Sequence, residues 1–205
     1  MMSNSEVKDF SGLAQLDKLL YLNISSSHLE DEIFAFTSKI RNLQYLDVSN
    51  NIIKSFPDMM NRSIYEINLS SNVMNDLKGS GWLFNLRVLN LSQNQIVDIS
   101  PLTWCPFLKE LNLSENLIRE TVQLYHISIC RELTSLNLRD NPVLRESDFN
   151  YIIATYFKSI KFLNGTALNS KRFGAKHKRY FTPLKAIIPI YDLISYFERY
   201  VAGSM

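Results

Sequence analysis

Along most of the chain one phrase recurs: apolar-x-x-apolar-x-apolar-x-x-Asn-x-apolar. Six copies begin at Leu19, Leu43, Ile64, Leu86, Leu108 and Leu133, separated by steps of 24, 21, 22, 22 and 25 residues. The clearest runs Leu86, Leu89, Leu91, Asn94, Ile96 and continues with Ile99, Leu102 and Cys105 before Leu108 opens the next. Alternation from the fourth to the sixth position predicts a short strand. The later apolar residues, three apart, predict helical or looser turns. One such coil cannot bury its apolar face alone, so the coils stack and their strands form a parallel sheet. The longer steps leave room for true helices at about 30–39, 119–131 and 147–158.

The ninth position carries Asn51, Asn72, Asn94, Asn116 and Asn141, where each coil bends away from its strand. A side-chain amide offers two donors and an acceptor, so it satisfies backbone groups that a buried bend would strand. These asparagines are therefore expected to be structural. Ser27 holds the place in the first copy and is a weaker substitute.

This pattern resembles the leucine-rich repeat family, in its short intracellular 22-residue class, over residues 7–168. A seventh copy, Ile160-Lys161-Phe162-Leu163-Asn164-Gly165, resembles the family's C-terminal cap, with Asn164 where Asp is more usual. The resemblance implies an α/β fold: a right-handed solenoid with a parallel β-sheet on the concave face and helices and turns on the convex face. Its expected extent is 1–168, cut at the N-terminus within a longer array. Val7, Phe10, Leu13 and Leu16 already lead into Leu19 at repeat spacing, and no polar cap precedes them.

Outward strand positions line the concave face of such a coil. The fifth and seventh positions are mostly the family's own Asn and Ser and distinguish no partner. Departures carry more: Tyr21 and Tyr45 side by side in the third position, then Glu66, Val88 and Glu110. Neighbouring positions add Tyr65, Arg87, Lys109, Glu115, Arg139 and Asp140. Tyr and Arg combine area with polar reach and are favoured interface anchors. Candidate contacts on this face are therefore Tyr21, Tyr45, Tyr65, Arg87, Lys109, Glu110 and Arg139. Six strands about 4.8 Å apart and about four residues long give roughly 400 Å². A standard interface takes about 800 Å² per partner, so other surfaces must help where binding is tight.

Charge is divided unevenly. Residues 1–150 hold 13 basic and 18 acidic residues, whereas 151–205 hold 9 and 2. Lys171, Arg172, Lys176, Lys178 and Arg179 form a basic segment, a second candidate partner-binding site. Residues 169–205 therefore read as a basic segment followed by an amphipathic helix. Ile190, Leu193 or Ile194, Phe197 and Val201 fall on one face of that helix. The helix is expected to cover the last coils or to dock into a partner.

At 205 residues and 46% hydrophobic, the chain suits one ordinary domain. No apolar run approaches the roughly 18 residues of a membrane span, and no signal-like N-terminus is seen. Phosphate-binding glycine loops, nucleophile elbows and zinc-binding helix motifs are absent from the sequence. Neither a catalytic residue nor a cofactor or metal site is expected. Cys105 and Cys130 share one core position in successive coils and are expected to be reduced small hydrophobes in contact. The run Glu30-Asp31-Glu32 is expected to be a solvated helix start. Four of six N-x-S/T sequons, at Asn23, Asn68, Asn90 and Asn112, are the repeat's own Asn-apolar-Ser phrase.

The resemblance implies a non-enzymatic protein-binding module. Among the family's members, the centrosome or spindle-pole type of regulatory or cytoskeletal scaffold fits best, with a cytoplasmic or nuclear location and a part in the cell cycle. An RNA- or ribonucleoprotein-associated protein using 171–179 and a phosphatase-regulatory subunit are the alternatives.

Overall fold

The computed structural model describes residues 12, 15–56 and 62–168. The chain divides into two units, Met1–Gly174 and Ala175–Met205, and the second lies outside the described residues. So do the basic segment, the C-terminal helix and the lead-in residues Val7, Phe10 and Leu13.

Each copy of the phrase forms one strand at its third to fifth positions. These are β1 (Tyr21–Asn23), β2 (Tyr45–Asp47), β3 (Glu66–Asn68), β4 (Val88–Asn90), β5 (Glu110–Asn112) and β6 (Ser135–Asn137). They pair in parallel in sequence order, every strand in register with its neighbour, and β7 (Phe162–Leu163) continues the parallel sheet. The final strand, β8 (Thr166–Ala167), turns back antiparallel on β7. Its turn uses Asn164 at φ 53° and Gly165 at φ 72°, the left-handed pair favoured in tight hairpins. This reversal closes the sheet where a cap was expected.

Stacking turns each repeat position into a column. Leu22, Leu46, Ile67, Leu89, Leu111, Leu136 and Leu163 are buried behind the sheet. Ile24, Val48, Leu69, Leu91, Leu113 and Leu138 form the next column inward. Each fully buried aliphatic side chain contributes on the order of 1.5–3 kcal/mol, and none could do so in an isolated coil.

Repeat length decides what returns the chain on the convex side. The 24-, 25- and 27-residue steps contain α1 (Ile33–Thr37), α2 (Val122–Ile127) and α3 (Phe149–Tyr156). Two 22-residue steps make only single 3-10 turns, at Lys78–Trp82 and Ser100–Trp104. All three helices fall inside the ranges read from the sequence.

The asparagine column does more than serve its own bend. Asn94 Nδ2 donates to the Leu91 and Ser92 carbonyls of its own coil and to the Leu69 carbonyl of the coil before. Its Oδ1 accepts the Met74 N–H of that earlier coil. Asn72, Asn116 and Asn141 repeat the arrangement. Asn51 accepts two N–H groups, from Ser27 and Leu29, and the Ser27 hydroxyl donates to the Ser25 carbonyl. Every ladder asparagine thus joins adjacent coils.

One expectation needs correcting. Asp31 is not a solvated helix-start charge: its carboxylate accepts from the Lys54 and Ser55 N–H groups and the Ser55 hydroxyl, one coil further on. The stack runs a stretch of bare backbone beside it, and a half-buried carboxylate satisfies those donors. Glu30 and Glu32, its neighbours, are exposed.

Candidate functional site

The in-register sheet sets the third-position residues in one row: Tyr21, Tyr45, Glu66, Val88, Glu110, Ser135 and Phe162. Within the row, the Tyr21 and Tyr45 rings stack face to face, centroids 4.2 Å apart and planes 2° from parallel. Tyr21 remains 49% exposed, so the stack presents an aromatic surface rather than filling a core. Burial, the Tyr21 hydroxyl and the nearby Asp47 charge push the Tyr45 phenol above its ordinary range.

Beyond the tyrosines lies a cleft of about 360 Å³. Tyr45, Glu66, Val88 and Glu110 line it, over a floor that includes Asn68 and Asn90. Partial burial, then the charges of Glu110 and Asp47, hold the Glu66 carboxyl above the usual carboxylate range. Asp47 is buried and accepts the Ser49 N–H at 2.9 Å. Among the described residues, no ion pair reaches Asp47, Glu66 or Glu110. The face is therefore acidic along its middle and aromatic at its start.

The Asn-apolar-Ser phrase shapes that floor. The Oδ1 of Asn23, Asn68, Asn90 and Asn112 accepts both the N–H and the hydroxyl of the serine two residues on. These local bonds turn the chain off the strand, which gives the repeated sequon-like phrase a structural task. The turn is completed at the eighth position, where Ser26, Asn50, Ser71, Gln93, Glu115 and Asp140 all have φ between 54° and 57°.

Other candidates stand elsewhere. Tyr65, Arg87 and Lys109 do not line the cleft. Arg87 packs over the Phe107 ring, 5.0 Å from its centroid, and pairs with Glu132 at 3.6 Å. Lys109 reaches the same Glu132 oxygen at 3.4 Å. Both pairs are solvent-exposed and contribute about 0–1 kcal/mol. Arg139 is exposed and lies across the cap turn, beside Gly165. Lys171, Arg172, Lys176, Lys178 and Arg179 lie outside the described residues. Glu66, noted as a departure in the third position, and Asp47, of the fifth-position ladder, were not among the candidate contacts, because burial and uncompensated charge are invisible in the sequence.

Cys105 and Cys130 are buried and unbridged, and the Cys130 Sγ donates to the Cys105 carbonyl at 3.3 Å. Burial pushes the Cys130 thiol up to about 12, and Cys105 higher still. Thiols held so far from thiolate are packing groups. Among the described residues no His, Cys, Asp and Glu cluster could hold a metal ion, and no helix is long and apolar enough to cross a membrane.

Comparisons with known proteins agree with the architecture. An internalin of Listeria monocytogenes is similar at TM-score 0.67 and 23% identity, over 81% of this chain and 47% of that one. A leucine-rich repeat protein of Leptospira interrogans gives 0.65 and 24%, over 73% and 38%. The chain thus spans less than half the length of either. A chain of the Drosophila melanogaster SNF/U2A' complex gives 0.51 and 18%, over 83% and 88%. No curated protein sequence matches. A leucine-rich repeat family model matches residues 58–183, and a second, shorter one matches 42–62. With more than half of its length covered, and six stacked coils that follow the family's phrase ahead of a cap-like seventh, the chain belongs to the leucine-rich repeat family.

Proposed function

We propose that the chain is a non-enzymatic protein-interaction module whose concave face is the docking surface, within a larger regulatory or cytoskeletal scaffold of the centrosome or spindle-pole type. Leucine-rich repeat domains are typically protein-interaction modules, and the scaffold assignment is the one the family resemblance favours. The observation that carries the reading is the open row on the sheet: a stacked, half-exposed Tyr21–Tyr45 pair leading into a cleft with unpaired carboxylates. Neither feature serves the core. Stacked aromatics with one wet face are hot-spot material, and uncompensated charge on a concave wall costs stability unless a partner meets it. Tyr21, Tyr45 and Glu110 supply the central contacts in this reading. Arg139 sits at the cap end, and Tyr65, Arg87 and Lys109 at the leading edge of the strands. The Drosophila neighbour is a chain of a complex, which is consistent with partner binding by this fold.

A pull-down from cell extract tests the proposal, using the wild type beside Tyr21→Ala/Tyr45→Ala and a chain ending at Thr182. Partners lost with the tyrosine variant support the concave face. Retention of every partner by that variant overturns it, and losses confined to the shortened chain place recognition in the C-terminal segment instead.

A further inference from the structure

We infer that the cleft takes a basic peptide segment of a partner protein, an arginine or lysine side chain entering between Glu66 and Glu110. This rests on the reading of the concave face as the docking surface and names the chemistry of its partner. Glu66 and Glu110 occupy the same register position on β3 and β5, with Val88 of β4 between them. Two strand spacings set their backbones about 10 Å apart. That gap suits a guanidinium or ammonium group reaching both carboxylates, with its methylene stem lying over Val88.

Charge selects the occupant. Asp47, Glu66 and Glu110 lie near enough that each of the other two raises the Glu66 carboxyl, and no cation of the described residues pairs with any of them. Phosphate-bearing partners, nucleic acid included, would meet the Glu66 and Glu110 charges there, with Asp47 buried beside them. A bound metal ion is not favoured either, since no group of ligating residues is gathered among the described residues. The stacked Tyr21 and Tyr45 extend the same face and offer ring surface to a second basic residue of an extended peptide. An acidic cleft, an apolar floor residue and an adjacent aromatic stack together match an Arg- or Lys-bearing strand better than any neutral one.

Fluorescence anisotropy tests this with the full chain and a labelled nonapeptide of alternating arginine and alanine. Its counterpart carries citrulline, which keeps the shape and loses the charge. The arginine peptide should bind, and citrulline should weaken it by roughly tenfold or more. Glu66→Gln/Glu110→Gln should give a similar loss, whereas Glu120→Gln/Glu146→Gln, with the same change in net charge at exposed sites, should not. Circular dichroism confirms that both variants fold. Equal binding of the two peptides, or equal losses in the two variants, overturns the inference. Binding that emerges only when Lys171, Arg172, Lys176, Lys178 and Arg179 are all changed to Gln makes that basic segment the occupant, and also overturns it. If extract partners depend on Tyr21 and Tyr45 while the carboxylate variant and the arginine peptide show no effect, the docking surface stands and its basic partner falls.

Discussion

Asn94 donates from Nδ2 to the carbonyl of Leu69, a residue of the preceding coil, at 3.0 Å, while its own Leu91 carbonyl shares the same amide. One side chain therefore holds two coils in register. Asn94→Ala leaves the Met74 N–H without an acceptor in a buried bend, while the Leu69, Leu91 and Ser92 carbonyls each lose one donor and keep another, from Asn72, Asn116 and the Ser71 N–H. The expected loss is about 2 kcal/mol in urea unfolding, since one unsatisfied buried donor costs roughly 1–3 kcal/mol and the carbonyls keep a donor each. Gln95→Ala, next door and exposed, should stay within about 0.5 kcal/mol of wild type.

Gln93 sits at φ 56°, a left-handed conformation that β-branched side chains resist. Replacing it with Val should destabilise the fold by roughly 1–2 kcal/mol more than replacing it with Gly, because both lose the Gln93 contacts to Ser71 and Glu115 and only Val adds strain. Thermal unfolding of the two variants side by side reads the difference. Equal midpoints would contradict the backbone assignment.

Cys105 and Cys130 should resist alkylation in the native protein at mildly alkaline pH and react fully in denaturant. Burial keeps both as thiols, Cys130 up to about 12, and only the thiolate attacks the reagent. Labelling followed by mass spectrometry checks this. Rapid native modification would show that the convex core opens readily.

Glu66 makes a prediction about pH. Its folded-state carboxyl lies above the ordinary 4.5, chiefly through burial and then through Glu110 and Asp47. The folded state thus holds this proton at higher pH than the unfolded chain does. Stability contributed at this site rises as pH falls through the window above 4.5, and the charged form is a liability at neutral pH. Glu66→Gln should therefore raise the melting temperature at neutral pH, with the gain fading below 4.5. A lower melting temperature for the variant at neutral pH would contradict it.

The fold was legible because the repeat phase controls it: once Leu86, Leu89 and Leu91 repeat at Leu108, Leu111 and Leu113, the strands can only stack in parallel. The cap turn and the placement of the three helices followed from Asn164-Gly165 and from the longer steps. What the phrase concealed lies between coils. Ser26, Gln93 and Glu115 share a backbone conformation but no residue type, so nothing in their chemistry announces it. Asp31 meets Ser55, and Arg87 and Lys109 meet Glu132, only because stacking brings residues more than twenty apart together. The Tyr21–Tyr45 row was readable from its position. Glu66 and Glu110 stood out as departures in the same row, but the acidity of the cleft was not readable in full, because Asp47 stood in the fifth-position ladder and no sequence feature showed which charges would go unpaired.

The concave face is tested most directly by hydroxyl-radical footprinting of the chain with and without a partner recovered from extract. Tyr21 and Tyr45 should lose reactivity on binding, while Tyr125 and Tyr156, which meet edge to face at 4.8 Å between α2 and α3, stay as reactive as before. Protection confined to Tyr125 and Tyr156, with Tyr21 and Tyr45 unchanged, would contradict the account.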